Sequence, residues 1–396
     1  MRIVFSCDYY SSGMGYHENI IPKTLSLMGH DVFIVSSTLQ IYGDCDFYDN
    51  TYFNFLGNKN KNSGIETIDG VKVIRLKKII WWKRIKLVKN RNKTILKLKP
   101  DIVYSYDPVS LQTSLLSLLS LFSKFTLYTA THTVASVYPA YYEYQNWSIF
   151  EKAYLYATDS LLGCITSIGI KKCYCMTPDG FEITKQFFKI KKSKIELISL
   201  PIDVSLFYPL YSEEDKFVRN KIRESLNITE ADVLCIYTGR MTTAKNPLCL
   251  AQAIELLRIN GYPIKGLFLG EGEQYDQISK ISGCIILPFK PYKELPNIYR
   301  SADIGIWPRQ ESLSMNDAAA CGIPIIVSNK IKAIERVDGN GLTYIENDPV
   351  DLSKIIIRLM DENFRIKLGK YGVEKINNNF SHVVITDIYL TEFNQN

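Results

Sequence analysis

The sequence predicts an α/β protein made of two doubly wound, Rossmann-like domains that face each other across a cleft. Three observations carry this expectation. Short apolar runs bounded by turn residues alternate with helical patterns, the signature of a parallel sheet covered on both faces. The alternation occurs twice, on either side of a weakly patterned stretch, residues 189–210, that contains Pro201 and Pro209. A length of 396 residues also matches two domains of ordinary size.

Taken in order, RIVFS (2–6) is a strand, residues 17–28 a helix, and DVFIVSS (31–37), VKVIRL (71–76), DIVYSY (101–106) and FTLYTA (125–130) further strands. Helical patterns lie between the last three. The second run begins at VLCIYTG (233–239) and continues through a helix after Pro247 to GLFLG (266–270), CIILP (284–288), DIGIWP (303–308) and IPIIVS (323–328). The final stretch is helical and rich in Lys, Asn and Tyr. The expected division is residues 1–200, residues 205–375, and a C-terminal helix over 376–396. Ligands of such sheets bind at the carboxyl ends of the strands, so the chemistry is expected there.

Composition narrows the function classes. Hydrophobic residues make up 46% and charged residues 22%, which describes a globular chain rather than a disordered one. The Leu-rich run 111–122 is too short and too interrupted by Gln112, Ser114, Ser117 and Ser120 to span a bilayer. The N-terminus reads as a strand, not as a signal peptide, and cytoplasm is the default expectation. Nine cysteines are an odd number, and Cys164, Cys235 and Cys284 lie in apolar runs. Cys173 and Cys175 are too close for a CxxC pair and have no histidine nearby to build a zinc site. All nine are expected to be reduced core residues, and no metal site is expected.

The most informative stretch is 308–324, PRQESLSMNDAAACGIP. Between two apolar runs lie a carboxylate at Glu311, small polar residues, a second carboxylate at Asp317, and a small-residue helix ending at Gly322. A loop feeding a helix N-terminus offers unpaired N–H groups to an anion. Two carboxylates beside it suit a ligand with phosphates at one end and hydroxyls at the other, as in a nucleotide-sugar.

Other segments offer partners for that ligand. Gly13 and Gly15, before the helix at His17, permit a tight turn. Glu18 stands where a dinucleotide fingerprint would have its third glycine, so a nicotinamide-cofactor reading is weak. The turn is either a plain helix entry or a backbone approach to a diphosphate. In YTGRMTTAKNP, Gly239 ends a strand, and Arg240 and Lys245 could both reach one diphosphate or be solvated surface cations. Gly270-Glu271-Gly272 lies at a strand's carboxyl end, where a nucleoside could rest. His132, after FTLYTA, is the best placed of the four histidines to face the cleft, though a structural role is equally open. His17 also has a position from which it could face the cleft, while His30 reads as a turn residue and His382 as part of a terminal helix.

Together these pieces resemble the GT-B glycosyltransferases of family 4, known as group 1. The resemblance runs through GMGYHEN, MGHDV, SLPIDVSLF, TGRMTTAKNP, FLGEGEQ, FKPYKELPNIYRSADIGIWP, ESLSMNDAAACGIPIIVS and DGNGLTYI, in the family's order. It implies two Rossmann-like domains closing over a nucleotide-diphospho-sugar, retention of configuration, no cofactor or metal, and a C-terminal helix crossing back to the first domain. Arg240 and Lys245 then match the basic pair on the donor diphosphate, with Gly13, Gly15 and Gly239 as the close-approach glycines. His132 matches the first-domain histidine near the reacting centre, and Glu271 the turn residue near the nucleoside. Asp317 matches the acid that holds the ribose hydroxyls. Glu311, with Ser312, Leu313 and Ser314, matches the acid and loop facing the donor sugar. The chain departs from the family here: its second acid is Asp, and the pair is set two residues closer than usual. Asp317 keeps its place relative to Ala320-Cys321-Gly322, so the shortening falls on Glu311.

The formal charge is +6, and its surplus lies in residues 75–99, which hold eleven basic residues and no acidic one. A helix from Lys83 with an apolar stripe of Ile85, Val88, Ile95 and Leu96 is expected. Its basic face is either simply solvated or a membrane-surface patch anchored by Trp81 and Trp82; nucleic acid is not an expected partner. The surface reading suits a glycan or lipid-linked acceptor at the cytoplasmic membrane face, as the resemblance implies. Two other functions share these features: a nucleotide-sugar epimerase of the same fold, and a non-catalytic sugar-nucleotide or lipid-binding protein.

Overall fold

The computed structural model describes residues 1–82, 85–309 and 311–395, with the backbone alone at Trp82 and Ser136. The chain forms two α/β units, residues 1–201 with 385–396, and residues 202–384. In the first lie β1 (Arg2–Ser6), β2 (Asp31–Ser37), β3 (Gly64–Ile68), β4 (Val71–Leu76), β5 (Lys78–Trp82), β6 (Ile85–Val88), β7 (Ile102–Tyr106), β8 (Thr126–Thr131), β9 (Ile170–Cys175) and β10 (Ile195–Leu197). Eight of them form one sheet in the order β10-β9-β8-β7-β1-β2-β4-β3. Every neighbouring pair is parallel except β3 with β4. β1, β2, β7 and β8 are buried almost throughout, because helices cover both faces of a parallel sheet.

The second unit holds β11 (Val233–Thr238), β12 (Ile264–Leu269), β13 (Cys284–Leu287), β14 (Ile304–Trp307), β15 (Ile325–Ser328) and β16 (Gly341–Tyr344). They form one fully parallel sheet, ordered β13-β12-β11-β14-β15-β16. β11 lies between β12 and β14, so the loops after these three strands open on one edge of the sheet.

The C-terminal region is two helices rather than one, Glu362–Asn379 and His382–Phe393, separated at Phe380 and Ser381. The first belongs to the second unit, and residues from Ile385 onward belong to the first. Ile385, Tyr389 and Phe393 are buried in the first unit's core beside Tyr104, Tyr128 and Tyr174. Phe393→Ala should therefore cost about 3–5 kcal/mol, read as a lower urea midpoint.

The basic segment folds differently from the expectation. The expected helix start, Lys83, lies outside the described residues, but Ile85 and Val88 are strand residues. β5 and β6 pair as an antiparallel ribbon, and the helix is only Arg91–Lys97. Several of its cations are spent internally. Arg75 is buried and bonds Glu66 at 2.5 Å and the Tyr10 carbonyl. Arg91, also buried, pairs with Asp8 at 2.8 Å. Trp81 donates Nε1–H to Asp44 and packs edge-on against Tyr9. Ile79 and Ile80 remain exposed.

The cysteines are free, but Cys164 is exposed and Cys45 and Cys284 are half-buried, so not all nine are core residues. Among the described residues no helix is long and apolar enough to cross a membrane.

Candidate functional site

In the second unit, the loops after β11 and β12 interlock through their backbones. Met241 N–H donates to the Glu271 carbonyl at 2.8 Å, and Gln274 N–H donates to that of Met241 at 2.9 Å. Glycine makes the approach possible. A Cβ on Gly270, at φ +137°, would stand 2.1 Å from the Gly239 carbonyl oxygen, and one on Gly272 would stand 2.6 Å from that of Met241. Gly270→Ala should cost about 3 kcal/mol or more, seen as a large fall in thermal midpoint.

That frame holds Arg240 and Lys245. Arg240 is exposed and Lys245 half-buried. Desolvation, then repulsion from Arg240, lowers the Lys245 pKa, with Glu311 opposing. Among the described residues its Nζ has no hydrogen-bond acceptor. A cation crowded by another cation and left without a protein partner is primed for an anionic ligand. A third cation adjoins the loop: Arg309 donates to the Thr243 carbonyl at 3.3 Å and lies 3.8 Å from Glu346. The sequence had not singled it out. Glu271 is exposed.

After β14, the Tyr344 hydroxyl donates to the Pro308 carbonyl at 2.7 Å and anchors the start of the loop. Glu311 accepts the Lys332 amide through Oε1 at 2.8 Å and that of Ala333 at 3.4 Å. One of its oxygens is therefore occupied in tying two loops together. The Ser312 and Ser314 hydroxyls are 2.7 Å apart. The helix after Leu313 is short, Ser314–Ala320, and the Met315 and Asn316 amides already bond the Ser312 and Leu313 carbonyls. The expected cradle of free amides is thus partly filled.

Asp317 lies on the buried face of this helix, 6% exposed. Among the described residues no donor reaches its carboxylate. Burial, then the negative charge of Asp203, raises its pKa to about 8. Asp203 belongs to the SLPIDVSLF segment, is itself buried, and accepts from Ser205. Sequence reading had no signal for this pairing, since 113 positions separate the two acids. A buried carboxylate without a partner is costly, and ligand hydroxyls would supply the missing donors.

In the first unit, Gly13 and Gly15 take φ of +81° and +67°, turning the chain from β1 into the helix His17–Leu27. Nothing lies within 4 Å of a Cβ at Gly13, so its conformation, not crowding, calls for glycine. His132 follows β8 at the sheet's carboxyl edge and is exposed. Desolvation by surrounding protein lowers its pKa, with Asp107 opposing, which favours the neutral ring. His17 does not look outward, contrary to the expectation. It is buried, bonds the hydroxyls of Tyr106 at 2.5 Å and Tyr389 at 2.9 Å, and burial lowers its pKa to about 3. Beside it Glu18, half-buried, is raised by desolvation to about 7; the sequence had marked it only as a departure from a glycine pattern.

Comparisons with known proteins agree with this architecture. Residues 218–375 match the family model described as Glycosyl transferases group 1. No curated protein sequence matches the chain. Among solved structures, HepE from Anabaena in complex with UDP superposes with a TM-score of 0.70 at 12% identity, covering 100% of both chains. Sucrose-phosphate synthase from Thermosynechococcus elongatus gives 0.69 at 16% identity, covering 100% of this chain and 99% of that one. A glycosyltransferase from Rickettsia africae gives 0.68 at 16% identity, covering 100% and 98%. The fold is GT-B, two Rossmann-like domains in one chain.

Proposed function

We propose, on the premise that residues 218–375 match the model of the group 1 glycosyl transferases, that the chain moves a sugar from a nucleotide-diphospho-sugar to a glycan or lipid-linked acceptor with retention of configuration. The observation that carries the reading is that the carboxyl edge of one sheet bears, among the described residues, a cation without an acceptor, Lys245 in the loop after β11, and a buried carboxylate without a donor, Asp317 on the helix after β14. A diphosphate takes the first and ribose hydroxyls take the second. UDP in HepE and UDP-glucose in a second HepE structure support a nucleotide-sugar as donor.

Arg240 and Lys245 stabilise the charge that develops on the departing diphosphate, the work a metal ion would otherwise do. Gly239 lets the backbone approach it. Glu271 lies by the nucleoside, and Glu311, through its second oxygen, with Ser312, Leu313 and Ser314, lies by the donor sugar. His132, neutral at pH 7, hydrogen-bonds a sugar hydroxyl, and Gly13 and Gly15 shape the first unit's loop. The acceptor hydroxyl attacks from the face the diphosphate leaves. The exposed Ile79 and Ile80 with the neighbouring lysines make the β5–β6 ribbon the surface that meets a membrane-borne acceptor.

The test is incubation with UDP-, GDP- and ADP-sugars and a lipid-linked glycan. Release of nucleoside diphosphate together with a glycosylated acceptor of retained configuration is expected. An isomerised but intact donor would instead mark an epimerase, and binding without turnover a non-catalytic protein.

A further inference from the structure

The second unit carries a cavity of about 530 Å³ that plays no part in the donor loops. It opens at Ala302-Asp303, just before β14, and at Ile323-Pro324, just before β15. Those are the amino ends of the strands, the opposite edge of the sheet from Gly239, Gly270 and Pro308. Its size falls within the range of small-molecule sites, roughly 300–1,000 Å³. Leu210, Ile323, Pro324 and Val373 give it an apolar floor.

Its charged groups are unevenly committed. Asp303 is taken by Arg219 at 2.8 Å and Arg223 at 3.1 Å. Arg300 is 7% exposed, and its hydrogen-bond partners are neutral: the Tyr208 carbonyl and the Asn297 side chain. Its guanidinium lies 4.3 Å from the centre of the Tyr208 ring, which stacks in turn on the exposed Tyr211 at the cavity wall. Asp215, the acid that Arg300 influences, is engaged by the Ser212 cap. Among the described residues Arg365 donates only to the carbonyls of Leu359 and Met360. Among the described residues neither arginine nor Lys370 has a carboxylate partner in an ion pair. Glu362 and Glu374 also line the wall, leaving the lining with one more cation than anion. A guanidinium nine-tenths buried without a counterion is the arrangement that an incoming anion stabilises.

We propose that this cavity is a second binding site, separate from the donor site, for a small phosphorylated organic anion, with Arg300, Arg365 and Lys370 on the phosphate and Tyr211 against the body of the ligand. The site also touches the donor machinery from behind. Cys321 and Gly322 in its wall end the same short helix, Ser314–Ala320, that carries Asp317.

Inorganic phosphate is the probe, and the thermal midpoint of the full chain is the readout. The expected result is a saturable rise that survives in Lys245→Ala, where the donor site has lost a cation. In Lys370→Ala and in Arg365→Ala the phosphate concentration for half-effect should increase about ten-fold or more. Lys370→Ala removes no hydrogen bond among the described residues and guards against a folding defect in the other variant. No rise in the wild type, a rise unchanged in both cavity variants, or a rise lost in Lys245→Ala would each overturn the proposal. Because the readout needs no sugar transfer, it stands or falls apart from the glycosyltransferase reading.

Discussion

Lys245→Ala is expected to lower kcat for sugar transfer by about 100- to 1,000-fold, the usual effect of removing one preorganised group from a developing negative charge. The thermal midpoint should hardly change, because no hydrogen bond among the described residues is lost and a desolvated cation crowded by Arg240 is removed. The split between kcat and KM is informative. A loss confined to KM would mean that Lys245 binds ground state and transition state alike, and near-normal transfer would remove it from the mechanism. The shift in its pKa makes the same point energetically. Burial and a neighbouring cation disfavour the charged form, and the cost is offset only when a diphosphate is present.

Asp317→Asn should have the second large effect, with opposite signs on binding and stability. The Asp317 carboxyl takes up its proton near pH 8 in the folded protein, against roughly 3.9 for an unperturbed aspartate. Between those values the folded chain holds a proton that the unfolded chain has released. Stability therefore falls as pH rises through this window, and the loss is complete above about pH 8. Asparagine carries no such charge. The variant should match wild type below about pH 4 and exceed it at pH 9 by about a few kcal/mol at most, or roughly 2–4 °C per kcal/mol. Its nucleoside diphosphate affinity should fall about ten-fold or more, since two ribose hydroxyls lose a charged acceptor. Wild-type affinity should rise with pH toward 8, because ligand hydroxyls favour the ionised carboxylate. Parallel pH–stability curves in the two proteins would show that Asp317 is not the titrating group. A residue that costs stability until its ligand arrives is the common pattern at a functional site.

Much of this was legible in the sequence, and what was not has identifiable causes. The alternation of buried runs and helices marked the central strands of both sheets, because a strand covered on both faces must be apolar throughout. The edges were less visible. β3 was missed although IETIDGVKV carries a hairpin signal: Asp69 and Gly70 both take positive φ, as a two-residue turn requires. In the basic segment the spacing of Ile85, Val88, Ile95 and Leu96 predicts a helix from Lys83. The structure instead pairs β5 with β6, and Trp81 and Lys86 pack against Tyr9. No local pattern could announce that Arg75 and Arg91 would find Glu66 and Asp8.

The site divides in the same way. Gly239, Gly270 and Gly272 could be picked out because close backbone approach admits only glycine, a constraint written into residue identity. Arg240 and Lys245 could be placed by their position after a strand's carboxyl end. The direction of a side chain is another matter. His17 and His132 both follow strands of one sheet, yet His17 turns inward to two tyrosine hydroxyls, one of them from the far C-terminus. Glu311 and Asp317 read as a matched pair, but one bonds the backbone of a neighbouring loop and the other is buried with no partner among the described residues. Sequence by itself determined the succession of chemistry-bearing loops along the chain, the glycines in them and the cations at their tips, because these follow from local period and backbone freedom. Only the tertiary structure decided which polar groups are satisfied, which are left waiting for a ligand, and that burial, with the charge of Asp203, holds a proton on Asp317, because burial and charge coupling depend on residues far apart in the chain.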